Sequence, residues 1–298
     1  MRVDPDTIQT KEVLDWKGLH LLNFSQSSCS QKVRILLSEK GLTYRSREVD
    51  LKALEHTKPW YLGINARGVV PVLVDGGDVH IESNDILAYL EERYPSEHSW
   101  IPEGAEELQI ASELLALEER LHTHLRSITM GFMAPKKMME KSEAELDAYL
   151  ANGPDDPYRL KQVQWWQEFR VKGITSGQAQ DAVRAFYSAF SRLDELLADR
   201  DWLVAHHPTI ADIAWFINLH RLALSGYPLT EHLRVDDYYR RMLARPAFQN
   251  EISKGPLPLR FLAPVYRAFR RLSGTNLKPV FASVFVDRST DRLSEIAS

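Results

Sequence analysis

At 298 residues the chain is long enough for two domains with sizeable cores, and its 44% apolar and 26% charged content suits a globular protein. A formal net charge of −4 gives no electrostatic case for a nucleic-acid partner, and a single cysteine, Cys29, excludes an intrachain disulfide. The polar N-terminus lacks a signal-peptide core and no run of about 18 apolar residues would span a bilayer, so the expected address is cytoplasmic.

Residues 1–17 are an extension expected either to pack on the body or to stay mobile. Gly18 to Phe24 then reads as a short strand running into a serine-rich loop, Ser27-Ser28-Cys29-Ser30. From Ser30 to Lys40, Val33, Leu36 and Leu37 recur at helical spacing, and Gly41 stops the helix. Thr43 to Val49 is a second strand, which completes a unit of β-α-β size. Pro71 to Ile81 reads as two strands around Gly76-Gly77, and Ser83 to Tyr94 as a helix with Ile86, Leu87 and Leu90 on one face. The order β-α-β, then β-β-α, is a thioredoxin-like arrangement over residues 18–97.

From 105 to 255 the signal becomes helical. Glu107 to Arg126 reads as one long amphipathic helix bearing Leu114, Leu117 and Leu121, residues 152–157 as a break, and 182–197 and 210–224 as further helices. Thr209-Ile210-Ala211-Asp212 fits a capping box, in which a hydroxyl caps the helix start and an acid reaches back. The expected fold class is therefore an α/β thioredoxin-like N-terminal domain plus an all-α C-terminal domain. The tail, 256–298, is basic: from Arg260 onward it has seven Lys or Arg against three acids. Tyr266, Phe269 and Leu272 with Arg267, Arg270 and Arg271 suit a basic amphipathic helix. It is expected to pack on the helical domain or a partner subunit, with membrane-surface contact as the alternative, and the last 20 residues are expected to be disordered.

Three features could together hold a γ-glutamyl tripeptide as its thiolate. The junction of the first strand and first helix offers free N–H groups, the positive helix end and a hydroxyl, best placed at Ser27, with Cys29 and Ser30 as alternates. Val70 before Pro71 offers a backbone edge to an extended peptide, because proline gives no N–H to a sheet and a cis bond there turns the preceding groups outward. Glu82-Ser83, opening the next helix, offers an acid for an ammonium and a hydroxyl for a carboxylate. A serine-rich turn alone is an ordinary helix cap, and Cys29 alone reads as a small buried residue facing the sheet. Its other reading is a nucleophile that forms a mixed disulfide. His122 and His124 lack a second cluster of ligands, so no metal is expected. Met130, Phe132 and Met133 read equally as core or as the lining of a second-substrate pocket, and Trp165 and Trp166 as partly core.

Ser27 to Tyr94 resembles the N-terminal domain of cytosolic glutathione transferases. The likeness rests on Ser-Ser-Cys-Ser-Gln-Lys-Val-Arg (27–34), Asn65-Ala66-Arg67-Gly68-Val69-Val70-Pro71, and Glu82-Ser83 followed by Leu87-Ala88-Tyr89-Leu90. The serine-rich opening is similar to the zeta class, and the resemblance implies Ser27 as activator of glutathione, Val70 as backbone partner, and Glu82 with Ser83 as holders of the γ-glutamyl end. The Thr209-to-Asp212 box resembles the capping motif of the family's C-terminal domain. Ser30-Gln31-Lys32-Val33-Arg34, Lys58-Pro59-Trp60-Tyr61, Leu219-His220-Arg221-Leu222 and Asp237-Tyr238-Tyr239-Arg240-Arg241 resemble the ganglioside-induced differentiation-associated protein 1 group. That group carries a C-terminal membrane anchor and a long mid-domain insertion, both of which this sequence is expected to lack. Lys58 joins Ser27, Val70, Pro71, Glu82 and Ser83 in the expected glutathione-binding set. Met138 to Phe169 loosely resembles bacterial glutathione-dependent β-aryl etherases. Many transferase classes have Gln where Val69 stands, and Ser27 and Ser30 occupy the two thioredoxin cysteine positions, which excludes dithiol chemistry.

The resemblance implies a homodimeric glutathione transferase that uses glutathione as co-substrate against a small, hydrophobic electrophile. A glutathione-dependent isomerase or β-etherase, and a non-catalytic glutathione-binding adaptor or sensor, are the alternatives.

Overall fold

The computed structural model describes residues 1–253 and 257–285. Two 3₁₀ turns, Pro5–Thr7 and Lys11–Asp15, precede β1 (Leu19–Asn23), α1 (Ser28–Glu39) and β2 (Arg45–Glu48). A short α2 (Pro59–Leu62) leads to β3 (Val72–Asp75), β4 (Asp78–His80) and α3 (Ser83–Arg93). Helices follow: α4 (Ala105–Arg120), α5 (His122–Phe132), α6 (Lys136–Met139), α7 (Glu143–Ala151), α8 (Pro157–Lys172), α9 (Ser176–Leu196) and α10 (Ile210–Ser225). After these come α11 (Leu233–Leu243), α12 (Pro246–Ile252), α13 (Leu257–Leu272) and α14, residues 277–285. A thioredoxin-like mixed sheet followed by helices is the architecture. The chain groups into two units: Met1–Ile101 with Glu140–Val171 and Pro246–Gly255, and Pro102–Met139 with Lys172–Arg245 and Pro256–Ser298.

In the first unit the sheet runs β2-β1-β3-β4, with β1 parallel to β2 and antiparallel to β3, and β3 antiparallel to β4. Side chains alternate across it, so Leu22, Val72 and Val74 share one face. Ile8 and Val13 of the extension, with Tyr61 and Ile64, pack on that face. The extension is also tied by its backbone: Val3 N–H donates to the Val79 carbonyl (2.8 Å), and Gln9 and Thr10 N–H donate to the Gly63 carbonyl (2.7 and 3.1 Å). Of the two fates the sequence leaves open for residues 1–17, packing is the one found. Helices α1 and α3 pair with each other and bury Val33, Ile35, Leu36, Leu37, Ile86, Leu87 and Leu90.

The first helix begins at Ser28 rather than Ser30. Ser27 takes the capping position, so Ser28, Cys29 and Ser30 form a first helical turn and not a loop. Cys29 is half-buried, not the fully buried residue expected from its size and polarity.

In the second unit α10 is buried nearly all round, with Trp215, Phe216, Ile213 and Leu219 fully enclosed. Each such side chain contributes roughly 1.5–3 kcal/mol of burial. Helix α5 packs on α9 and α10, and the Trp215 indole N–H donates to the Leu114 carbonyl of α4 (3.1 Å). The expected single helix from Glu107 to Arg126 is instead two. At Leu121 the backbone N–H is shared between the carbonyls of Leu117 and Glu118 (both 3.1 Å), which tightens the turn and restarts the helix at His122. No Gly or Pro marks that break, so composition does not reveal it.

The tail is helical at residues 257–272 and 277–285, so the expected disorder does not hold for residues 279–285; residues 286–298 lie outside the described residues. The Arg270 guanidinium donates to the Gly131 carbonyl (2.8 Å) and ties α13 to α5, while Leu262, Val265, Phe269 and Leu272 are exposed. Helix α14 buries Leu277 and Phe281 and sets Phe281 against Tyr187 and Tyr227. Among the described residues no helix is long and apolar enough to cross a membrane.

Candidate functional site

The strand register brings three of the sequence features to one end of the sheet. Because β3 runs antiparallel to β1 with Leu22 opposite Val72, Val70-Pro71 lies beside the carboxyl end of β1, where the Ser27 turn begins. Because β4 runs antiparallel to β3 with Leu73 opposite His80, the chain leaves β4 at the same end and enters Glu82-Ser83 there. A hydrogen bond from the Lys32 ammonium of α1 to the Asn84 side-chain oxygen of α3 (3.3 Å) ties the two helix starts together.

At the first feature, the half-buried Ser27 caps α1 by accepting the Ser30 N–H (3.2 Å). A hydroxyl has two acceptor positions and one donor. The cap uses an acceptor position, so the Ser27 proton can still be given to an anion at the helix start. Ser30 is fully buried, and its hydroxyl accepts the Phe24 N–H (3.3 Å), which binds the strand end to the helix. Cys29 sits between them in the first turn.

Beneath the turn lies a buried polar network that the sequence reading does not assign to any task. Arg34 is 2% exposed and donates to the Asn23 side chain (2.7 Å), the Ser25 carbonyl (2.8 Å) and Glu251 (2.8 Å). Asn23 in turn donates to the Leu21 carbonyl (3.1 Å) and the Ser46 hydroxyl (3.0 Å). Arg34 thus holds the carbonyl two residues before Ser27 and fixes the path of the turn. The available signal is an arginine inside the run that carries Val33, Leu36 and Leu37; its acidic partner, 217 residues away, gives none.

At the second feature the Val70–Pro71 peptide is cis. The Val69 carbonyl accepts the Tyr61 hydroxyl (2.7 Å) and the Asn65 amide (2.9 Å), whereas Val70 joins no backbone hydrogen bond outside regular elements among the described residues. At the third, Glu82 has φ 65°, a conformation that costs a side-chain-bearing residue about 1–3 kcal/mol. Its carboxylate accepts from the Arg67 guanidinium, and Ser83, 6% exposed, opens α3. Arg67 is therefore the charged neighbour of this end, although the sequence reading leaves it without a role.

The opposite edge of the same sheet end belongs to β2. Asn23 pairs with Glu48 and the Val49 N–H donates to the Asn23 carbonyl (2.7 Å), so residues 49–58 leave the sheet beside the Ser27 turn. Lys58 is exposed at the end of this segment. His56, two residues earlier, is buried, and its imidazole is held down to about 3, first by burial and then by the charge of Lys141. Lys141 is itself pushed down to about 8 by burial. Met130, Phe132 and Met133 belong to the second unit, at the end of α5. Phe132 is buried beneath the Arg270 guanidinium (5.0 Å), while Met130 and Met133 are half-buried. Trp165 and Trp166 are half-buried and meet edge to face at 5.0 Å. His122 bonds Glu118 (2.9 Å), and among the described residues no group of three His, Cys, Asp or Glu side chains is arranged to hold a metal ion.

Comparison with known proteins bears on the fold and the family. The glutathione S-transferase N-terminal domain family matches residues 26–93, and the C-terminal domain family matches residues 164–244. Ganglioside-induced differentiation-associated protein 1-like 1 of Homo sapiens is 31% identical over an alignment of 262 residues, with 74% of this chain and 69% of that protein covered. A zeta-class glutathione S-transferase of Euphorbia esula is 35% identical over an alignment of 145 residues, with 41% of this chain and 64% of that one covered. The crystal structure of beta-etherase LigF from Sphingobium sp. strain SYK-6 superposes with a TM-score of 0.67 at 25% identity, covering 80% of this chain and 99% of that one.

Proposed function

The chain belongs to the glutathione transferase superfamily, and on that premise we propose that it activates the thiol of glutathione for attack on a small, hydrophobic electrophile. What supports this is the convergence of Ser27, Val70-Pro71 and Glu82-Ser83 on one end of the sheet. In this reading residues 18–97 hold glutathione. The Ser27 hydroxyl and the start of α1 stabilise the thiolate, the Val70 backbone pairs with the cysteinyl peptide, and Glu82 and Ser83 take the γ-glutamyl ammonium and carboxylate. Lys58 assists from the β2 side. The thiol gives its proton to solvent, the sulfur forms a bond to the electrophilic carbon, and the leaving group departs with its electron pair. The helical domain, 105–255, contributes Met130, Phe132 and Met133 as an apolar lining for the electrophile. The protein acts as a cytoplasmic homodimer, with glutathione as co-substrate.

Aryl-halide conjugation by the intact protein and by Ser27→Ala tests the reading. Ser27→Ala is expected to lower kcat/KM about 100-fold, the usual cost of removing one donor from a developing or bound anion. Unchanged turnover would transfer the role to Cys29, and Cys29→Ala would then abolish it. Glutathione binding without turnover on a broad electrophile panel would favour an adaptor or sensor, and no binding in calorimetry would remove the central claim. The likeness to the β-etherase structure gives one second reading, cleavage of an aryl ether by the same thiolate, which a β-aryl ether substrate would report directly.

A further inference from the structure

Residues 65–70 lead into Val70-Pro71 and carry Arg67, whose guanidinium donates to the Oε1 carboxylate oxygen of Glu82. Asn65, which is fully buried, organises this loop from within. Its side chain accepts the Arg67 N–H (3.1 Å) and donates to the Val69 carbonyl (2.9 Å), and its carbonyl accepts the Gly68 N–H (2.9 Å). The carbonyls of Arg67 and Gly68 find their donor elsewhere. Both accept the Tyr149 hydroxyl of α7 (2.6 and 3.5 Å), which lies 82 and 81 residues along the chain.

Tyr149 is 2% exposed, and its ring is seated where only glycine leaves room. Gly68 has φ 62°, and a Cβ there would lie 2.7 Å from the ring. The hairpin of α7 and α8 is locked to the same unit at its turn as well. Gly153 has φ 74°, and a Cβ there would lie 2.5 Å from the Leu62 side chain. The Asn152 amide donates to the Thr57 carbonyl (3.0 Å), and buried Arg159 donates to the carbonyls of Asn152 and Pro154. Tyr158, in the first turn of α8, places its ring centre 5.7 Å from the Arg67 guanidinium, within cation–π range. One tyrosine of the hairpin thus holds the Arg67 backbone, while the Arg67 guanidinium meets the other tyrosine and Glu82.

The Arg67 and Glu82 side chains are each about a third exposed, so as an ion pair they add little stability. Their use is orientation. Glu82 has φ 65°, a conformation that persists only where neighbours over-determine it. With Oε1 taken by Arg67, the other carboxylate oxygen accepts no hydrogen bond among the described residues. We propose that Tyr149 and Tyr158 are positioning residues: by holding Arg67 they aim the Glu82 carboxylate at the ammonium of the γ-glutamyl group, so that the α7–α8 hairpin sets how tightly that end is held. This rests on the glutathione reading above.

The test is calorimetric binding of two ligands to the full chain and its variants: glutathione, and glutaryl-cysteinyl-glycine, the same tripeptide without its α-amino group. The unmodified protein is expected to prefer glutathione by at least about tenfold, the worth of one charge-assisted hydrogen bond. Tyr149→Phe keeps the ring beside Gly68 and loses only the hydroxyl; it should cut that preference to about threefold by weakening glutathione alone. Tyr158→Leu should reduce the preference by about twofold. In an Arg67→Met protein the preference is already low, and adding Tyr149→Phe should lower it no further, because both act through one carboxylate. A Tyr149→Phe or Tyr158→Leu protein that keeps the full preference, or weakens both ligands equally, would overturn the proposal, as would a further loss in the Arg67→Met background. So would an unmodified protein that binds the two ligands alike, a result that does not depend on whether any variant folds. If neither ligand binds the unmodified protein, the glutathione reading has failed and the proposal with it.

Discussion

Two helix starts in this protein place a hydroxyl residue at the cap and leave their polar groups in opposite states. At α10, Asp212 is fully buried. Its carboxylate accepts the N–H groups of Leu203 (3.0 Å) and Thr209 (2.7 Å) and the hydroxyls of Thr209 (2.8 Å) and Tyr238 (2.9 Å). At α1, Ser27 accepts one N–H, no acid stands in the first turn, and the hydroxyl is half-buried. Beside the same sheet end His56 is buried and its Nδ1 has no hydrogen-bond partner. A helix supplied with its own carboxylate has its positive end answered internally and serves the fold. At α1 no acid of the first turn answers that end, as the proposed thiolate site requires.

The contrast is most easily broken at Asp212. Asp212→Ala removes the acceptor of four hydrogen bonds and leaves donors from Leu203, Thr209 and Tyr238 in fully buried positions. The expected loss is about 4 kcal/mol, read as a lower urea midpoint at unchanged slope. A loss below about 1 kcal/mol would mean that the α10 cap is no more structural than the α1 start.

A smaller effect tests the unsatisfied side of the comparison. The His56 imidazole, held down to about 3 by burial and by Lys141, stays neutral in the folded protein where an unfolded histidine takes a proton near its ordinary 6.5. Its depressed value means that stability is complete above pH 6.5 and is lost as the pH falls toward 3, at up to roughly 1.4 kcal/mol per pH unit. His220 in α10, also held down to about 3 by burial and the charges of Arg221 and Arg267, adds a similar slope in the other unit. Replacing His56 by Gln should therefore flatten the stability profile between pH 6 and 4 by up to roughly 1.4 kcal/mol per pH unit. An unchanged slope would show that His56 titrates normally and is not buried as a neutral ring.

The order of strands and helices in residues 18–97 is legible in the sequence because its signals are local: the Gly76-Gly77 turn, the alternation around it, and the spacing of Val33, Leu36 and Leu37. The α10 cap is legible for the same reason, since Thr209 and Asp212 are three residues apart. Two groups of features are not. The break at Leu121 depends on a backbone hydrogen bond shared between two carbonyls, which no residue type announces. Arg34–Glu251, Tyr149–Arg67 and Asn152–Thr57 join residues 217, 82 and 95 positions apart, so what they support is set by packing that no local pattern encodes. Ser27, Val70 and Glu82 carry recognisable local chemistry, and the strand register brings them to one end of the sheet. The residue that braces the Ser27 turn from within the core, Arg34, is not legible in that way.

The smallest expected effect separates the α1 start from the α10 start most directly. If Ser27 serves the fold mainly as a cap, then Ser27→Ala, which removes the hydroxyl acceptor from the Ser30 N–H, should cost about 1 kcal/mol, whereas Ser27→Gly should cost only a few tenths, because glycine lets water reach the free N–H groups. Both variants lack the hydroxyl proton that would stabilise a thiolate. They should therefore lose the same factor of about 100 in kcat/KM while differing measurably in urea midpoint. Catalytic loss that followed the stability ranking, small for Gly and larger for Ala, would make Ser27 a structural cap like Thr209. Equal catalytic loss with unequal stability would assign the hydroxyl to the bound anion, because the α1 start would then fold almost normally and fail only in its chemistry.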